Sequence, residues 1–346
     1  MEILQDFSFD EIKILVEELG EKSFRAKQIM DNVNLGKAIS TYSNISNELK
    51  EKLLARFVDF PLKVHTEQQS KDGTRKFAYE LSDGNIIEGV LMSYKYGHTL
   101  CVSTQVGCRM GCKFCASTLN GLVRNLTAGE ILSQVLLVNA MLGGKSGKNR
   151  KVTNVVLMGS GEPLDNYDNV IKFIRLVSSP DGLNISPRNI SVSTCGLVPN
   201  ILKLAKEGLQ VILTISLHAP FDELRKTIMP IANKYSIREI INAAKAYFES
   251  TGRRVLFEYT LIDGVNNTFD CAKQLALMLK GFPCHVNLIP LNAVKERDLK
   301  SVTRQNAERF LTWLEHMGVS ATIRRTMADD IDGACGQLRN KIESQN

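Results

Sequence analysis

The stretch GCRMGCKFCA, residues 107–116, places three thiols, Cys108, Cys112 and Cys115, within eight residues. Deprotonated sulfur is a soft ligand, so thiols this close together point to a metal centre. A structural zinc ion normally takes four protein ligands, commonly as two separated pairs. A compact trio with three and then two intervening residues fits that poorly. Iron-sulfur clusters prefer thiolates. A 4Fe-4S cluster held by three of them keeps one iron without a protein ligand, where a reacting molecule can bind.

Such a loop needs a scaffold to present it. From His98 onward the pattern alternates strands and helices, with strands predicted at 98–103, 152–158, 188–194, 210–217, 254–261, 284–289 and 319–324. Thr127 and Glu130 form a capping box that opens one of the intervening helices, and Gly143-Gly144 ends it. Repeated β-α units imply a parallel sheet with helices outside, and about six of them can curl into an open barrel. Chemistry on such scaffolds gathers at the carboxyl ends of the strands. The cysteine loop follows the first of these strands.

Ahead of the barrel, residues 1–62 read as a small helical accessory domain. A capping box at Ser8 and Glu11 starts its first helix, two more run over about 23–33 and 45–57, and Pro61 closes it. The segments TRKFAYEL and NIIEGVLM, joined through Asp83-Gly84, read as a β-hairpin extension within 63–97. The fold class is therefore α/β: a partial (β/α)6-type barrel over 98–346, including a C-terminal catalytic segment, preceded by these two pieces.

Composition narrows the function. At 346 residues, 44% hydrophobic and 23% charged, the chain has the make-up of a globular protein, and no apolar run approaches a membrane span. The acidic start MEILQDFSFDE is unlike a secretory signal, so a cytoplasmic location is expected. In that compartment eight cysteines argue for metal or redox chemistry rather than a disulfide framework. Residues 1–63 carry 9 Lys+Arg against 11 Asp+Glu, so the net charge of +6 comes from the larger remainder. Its basic groups are Lys145, Lys148, Arg150 and Lys151, then Arg75/Lys76, Arg253/Arg254 and Arg324/Arg325. These, like Arg109, Lys113 and Arg124 around the cysteines, are either solvated surface or contacts for nucleic-acid phosphates.

The C-x3-C-x2-C spacing, with an aromatic residue before the last cysteine, resembles the radical S-adenosylmethionine (SAM) superfamily, in which SAM chelates the open iron. The resemblance narrows further. CVSTQVGCRMGCKFCAS, MGSGEPLDN, SVSTCGLVP, ISLHAP, VNLIPLN and DIDGACGQL occur in the order found in the RlmN/Cfr family of RNA adenine methyltransferases, spanning nearly the whole chain. Pro163, giving GEPL, is similar to the RlmN branch, whereas the Cfr branch typically has alanine there. Ser160 and Cys195 stand where relatives commonly carry methionine and an aliphatic residue.

That resemblance implies a radical SAM barrel and methylation of adenosine carbon 2 in 23S rRNA, at the peptidyl-transferase centre. In some members it also implies methylation of the tRNA adenosine 3′ of the anticodon. Carbon 2 is electron-poor and cannot attack a methyl donor, so a carbon radical must add to it. Cys335 is similar to the family's methyl-carrying cysteine. One SAM methylates it, and a second, cleaved at the cluster, yields the radical that activates the S-methyl group, so two SAM are consumed per methyl transferred. Cys101 is similar to the cysteine that resolves the adduct through a transient disulfide with Cys335. Glu88 matches the carboxylate that accepts the proton.

The SAM-binding positions map onto Gly161, Glu162, Ser193, Ser216, Leu217, His218 and Asn292. The metal ligands are Cys108, Cys112 and Cys115. The implied cofactors are one 4Fe-4S cluster and SAM. The implied partners are 23S rRNA, tRNA in some members, and a flavodoxin- or ferredoxin-type electron donor, with no membrane and a monomeric state. Three rivals stand beside this reading: a Cfr-like carbon-8 methyltransferase conferring antibiotic resistance, a non-catalytic, zinc-stabilised RNA-binding protein, and a radical SAM enzyme acting on protein or a small molecule.

Overall fold

Local signals account for the opening helices. α1 (Phe9–Glu18) starts at Ser8, whose hydroxyl accepts from the Glu11 N–H while the Glu11 carboxylate accepts from the Ser8 N–H. α2 (Arg25–Asn34) and α3 (Asn47–Arg56) follow, the latter capped by Ser46. Ile12, Leu15, Val16, Ile29, Leu49 and Leu53 are buried, as their helical spacing requires.

The computed structural model describes residues 1–292, 294, 296–325, 330–331 and 337–343. They fall into two units. The first comprises Met1–Val106, Arg124–Gly159 and Asn166–Ile190, and the second Gly107–Val123, Ser160–Asp165 and Ser191–Asn346.

In the first unit β1 (Leu62–Gln69), β2 (Arg75–Leu81), β3 (Ile86–Tyr94) and β4 (Gly97–Cys101) form an antiparallel meander. The predicted hairpin is β2–β3. Its outer partner β1 is absent from the sequence reading because the inward face of LKVHTEQQ is apolar only at Leu62 and Val64 and continues as half-buried Thr66 and Gln68, so hydrophobic alternation is faint. β5 (Gln105–Gly107) and β6 (Leu122–Asn125) make a short two-stranded ribbon at the foot of the cysteine loop. α4 (Ala128–Met141) then carries the predicted Thr127–Glu130 capping box, β7 (Val152–Leu157) pairs parallel to β4, and α5 (Tyr167–Ser178) packs on α4.

The second unit is the regular β-α part. β8 (Ile190–Thr194), β9 (Ile212–Ser216), β10 (Val255–Leu261), β11 (Cys284–Pro290) and β12 (Ala321–Ile323) pair in that order, each parallel to the next. The crossovers are helical: α6 (Val198–Leu204), α7 (Asp222–Ile228) and α8 (Ile237–Thr251), α9 (Phe269–Leu279), and α10 (Arg304–His316). α11 (Gln337–Glu343) follows the last strand. Leu213, Ile215, Phe257, Tyr259, Val286 and Leu288 are fully buried, as apolar strands covered by helices must be. Among the described residues no helix is long and apolar enough to cross a membrane.

Candidate active site

Backbone hydrogen bonds shape the cysteine loop. Cys108 N donates to Gly121 O (2.9 Å), Lys113 N to Ile228 O (2.9 Å) and Cys115 N to Cys112 O (3.2 Å). The Thr118 hydroxyl lies 3.1 Å from Cys112 O and 2.9 Å from Cys115 O, bridging the turn between the last two cysteines. Gly107 enters the loop at φ +77°, and a Cβ there would lie 2.0 Å from Gly121 O, so no other residue fits. The three thiols are free of disulfides. Burial pushes the Cys108 thiol up to about 12, and burial with the neighbouring Cys115 raises Cys112 as well. A metal cation at the site reverses this, since ligation deprotonates a thiol outright.

Beside the loop, the ends of β8 and β9 are tied together by one side chain, Arg225, which is wholly buried. Its Nε donates to Leu217 O (3.0 Å) and its Nη2 to Cys195 O (2.6 Å) and Ser216 O (3.1 Å). Cys195 N in turn donates to Glu162 Oε2 (2.7 Å), and Leu164 N to Glu162 Oε1 (3.0 Å). Burial raises the Glu162 carboxyl above its ordinary range despite these bonds. His218 sits at φ +57°, rare for a residue with a side chain. Its Nδ1 accepts from Thr260 N (2.9 Å) and its ring meets Phe114 of the cysteine loop edge-on, centroids 4.7 Å apart. Burial, with the Arg225 charge, holds His218 down to about 3, so the ring is neutral with its proton on Nε2.

The first unit holds a separate polar group. Glu88 in β3 is 3% exposed, and its Oε2 lies 3.3 Å from the Nζ of Lys76 in β2, which is entirely buried. Cys101, at the end of β4, is buried and pairs with Val90 of β3. Just beyond it, Ser103 donates its hydroxyl to Glu88 O (2.7 Å), and its N–H and C=O bond the Gln134 amide (2.9 and 3.0 Å).

Comparison with known proteins fixes the family. Residues 102–270 match the radical SAM superfamily. The chain is 55% identical, over 98% of its length and 97% of the relative, to a Clostridium perfringens strain 13 protein named "Probable dual-specificity RNA methyltransferase RlmN". A protein of the same name from Lachnospira eligens is 52% identical over 98% of this chain and 96% of its own. The chain belongs to the RlmN family of radical SAM methyltransferases. A crystal structure titled as a radical SAM methyltransferase from Sphaerobacter thermophilus superposes with a TM-score of 0.93 at 40% identity, covering 97% of this chain and 99% of that one. The radical SAM α/β fold expected from the sequence is therefore the fold of this RlmN-family enzyme.

The cofactors of radical SAM enzymes, a 4Fe-4S cluster and SAM, are those of this chain. The donor set fits them. Among the described residues no three His, Cys, Asp or Glu side chains are arranged around a single metal ion. A cluster instead spreads its thiolates over separate irons, which suits three cysteines strung along one loop. Arg225 Nη1 and Glu258 Oε2 are buried without a hydrogen-bond partner, one a donor and one an acceptor. They lie next to the expected SAM positions, Glu258 being the register partner of Ser216. SAM carries an ammonium, a carboxylate and ribose hydroxyls, so it can answer both.

Of the residues expected from sequence, the second unit links Cys108, Cys112 and Cys115 to Glu162, Ser216, Leu217 and His218 through Arg225, Cys195 and Phe114. Gly161 lies beside Glu162 at φ +111°, Ser193 in β8 pairs with Thr214, and Asn292 is exposed beyond β11. Glu88 and Cys101 are in the first unit, and Cys335 lies outside the described residues.

One basic residue needs correction, and two others have acidic partners while staying exposed or partly exposed. Lys76, grouped above with surface cations, is buried because it projects from the covered face of the sheet, whereas its neighbour Arg75 projects from the other. Arg109 grips Asp165 through two bonds (2.9 and 2.5 Å), and Arg124 binds Asp83 and Glu130. Lys113 remains exposed. Sequence reasoning missed Lys76, Arg225 and Glu258 as site residues. Only Glu258 had a visible signal, a carboxylate in the otherwise apolar strand VLFEYTL.

Proposed function

We propose that this enzyme methylates carbon 2 of adenosine in 23S rRNA, at the peptidyl-transferase centre, and in tRNA just 3′ of the anticodon. The observation that carries this reading is near-full-length kinship with proteins named dual-specificity RNA methyltransferases. Pro163 in GEPL favours carbon 2 over carbon 8.

In this reading Cys108, Cys112 and Cys115 hold the cluster, while Gly161, Glu162, Ser193, Ser216, Leu217, His218 and Asn292 hold SAM. Together the cofactors supply the homolytic chemistry that an electron-poor ring carbon requires. Cys335 carries the methyl group as a thioether; once the radical that the cofactors would supply has taken a hydrogen atom from that methyl, its carbon bonds to carbon 2 and joins the protein to the base. Glu88 then accepts the proton from carbon 2 so that aromaticity returns. The Cys101 thiolate attacks the Cys335 sulfur, and the disulfide forms as the product leaves. The stoichiometry is two SAM per methyl. The helical domain of residues 1–62 helps to hold RNA, and the target base leaves its stack to reach the site. The enzyme works in the cytoplasm as a monomer, with a flavodoxin- or ferredoxin-type protein as reductant.

The deciding experiment is nucleoside mass spectrometry of rRNA and tRNA from cells with and without the gene. Loss of 2-methyladenosine from both RNAs supports the reading, and an 8-methyladenosine product overturns the choice of carbon.

A further inference from the structure

The Lys76–Glu88 pair calls for an explanation that packing does not provide. Its two side chains are 0% and 3% exposed, with Nζ and Oε2 3.3 Å apart. Exchanging a buried ion pair for apolar side chains of similar volume is commonly neutral or stabilising. Stability alone therefore gives little reason for an ammonium at this place in a sheet.

The strand register supplies a reason. Lys76 of β2 lies opposite Val90 of β3, and Ala78 opposite Glu88. Val90 lies opposite Cys101 of β4. Directly paired residues project from the same face of a sheet, as do alternate residues along a strand. Lys76, Glu88 and Cys101 therefore share one face, with Gln68 of β1 opposite Lys76 on its other side. Burial disfavours a charged carboxylate, and a cation at ion-pair distance offsets that cost. A proton acceptor must be charged and correctly aimed before its step arrives.

We infer that Lys76 is a positioning residue for proton acceptance: its Nζ, at ion-pair distance from Oε2, holds the Glu88 carboxylate aimed along the face it shares with Cys101. The inference rests on the role given to Glu88 above. The proton leaves carbon 2 for Glu88 Oε and its bonding pair stays with the ring, while the one surplus electron of the radical adduct would pass back to the 4Fe-4S cluster, the electron carrier of this enzyme.

The test uses the reconstituted full-length enzyme in single turnover on a synthetic RNA fragment of the substrate. Three products are followed: 5′-deoxyadenosine, the covalent protein–RNA adduct, and 2-methyladenosine. Lys76→Met keeps the length of the side chain and removes its charge. It is expected to cleave SAM within about twofold of the unmodified enzyme, accumulate adduct, and release 2-methyladenosine about 100-fold more slowly. Lys76→Arg, which restores the charge, is expected to recover at least about tenfold of that loss, an effect that mere filling of space would not produce. If Lys76→Met does not fold, Lys76→Gln takes its place, since it keeps a hydrogen-bond donor for the carboxylate.

Resolution of the adduct at the unmodified rate in the uncharged variant overturns the inference. So does a parallel loss of SAM cleavage and product, which marks a purely structural role. If the unmodified enzyme makes no 2-methyladenosine and Glu88→Gln traps no adduct, the reading beneath falls as well. If both behave as expected and only the Lys76 variants are normal, Lys76 alone is misassigned.

Discussion

Lys76 in the first unit and Arg225 in the second are both wholly buried cations, satisfied in opposite ways. Lys76 faces a carboxylate. Arg225 faces three backbone carbonyls, and no carboxylate lies within ion-pair distance of it among the described residues. The difference follows from the two headgroups. A guanidinium spreads its charge over a rigid fork of donors that can bridge several carbonyls, whereas an ammonium is a compact point charge. Arg225 thus acts as a bracket, holding the ends of β8 and β9 where Ser216, Leu217 and Cys195 emerge. Lys76 instead meets the carboxylate of Glu88 from a neighbouring strand.

The contrast can be broken in order of effect. Cys112→Ser, in the bracketed unit, should lose the cluster: purified anaerobically, it should lack the brown absorbance and form no 5′-deoxyadenosine. Retained iron and sulfide at the unmodified level would refute the ligand assignment. Arg225→Met should cost about 3 kcal/mol of stability, because three buried carbonyls lose their donor. Chemical denaturation measures it, and a change under about 0.5 kcal/mol would show that the bracket is dispensable. Glu88→Gln should leave SAM cleavage near normal while slowing 2-methyladenosine release about 100-fold. Equal losses in both steps would place Glu88 outside proton transfer.

The smallest effect concerns His218. Its pKa is depressed to about 3 in the fold, below the usual 6.5. Between those values the unfolded chain binds the extra proton, so stability is present above pH 6.5 and declines as pH falls toward 3. The His218 contribution to that decline is about 2 kcal/mol at pH 5, at about 1.4 kcal/mol per pH unit. The difference in pH slope between the unmodified chain and His218→Gln isolates it from the other acids, and identical slopes would refute it.

Features that depend on near neighbours were legible in advance. Three cysteines in one loop, capping boxes at Ser8 and Thr127, and the β-α alternation after His98 are all written over spans of a few to a dozen residues. Missed features depend on distant pairing. β1 escaped because an edge strand with mostly polar residues carries almost no hydrophobic alternation. Lys76 read as a surface cation because its neighbour Arg75 is basic, yet Arg75 binds Glu67 at 2.6 Å while Lys76 points to the opposite face. Arg225 lies in DELRKTI, where nothing distinguishes it from any exposed helix cation.

By itself the sequence determined the chemistry available: soft thiolate ligands close together in one loop, a GEPL turn, and an α/β order of elements. Tertiary structure alone decided which charges leave water and what they meet there. The physical reason is range. Helix caps and ligand spacing are settled by covalent geometry over a few bonds. Burial and counter-charge instead depend on which strands lie side by side, and a slip of one residue between β2 and β3 would put Lys76 and Glu88 on opposite faces of the sheet.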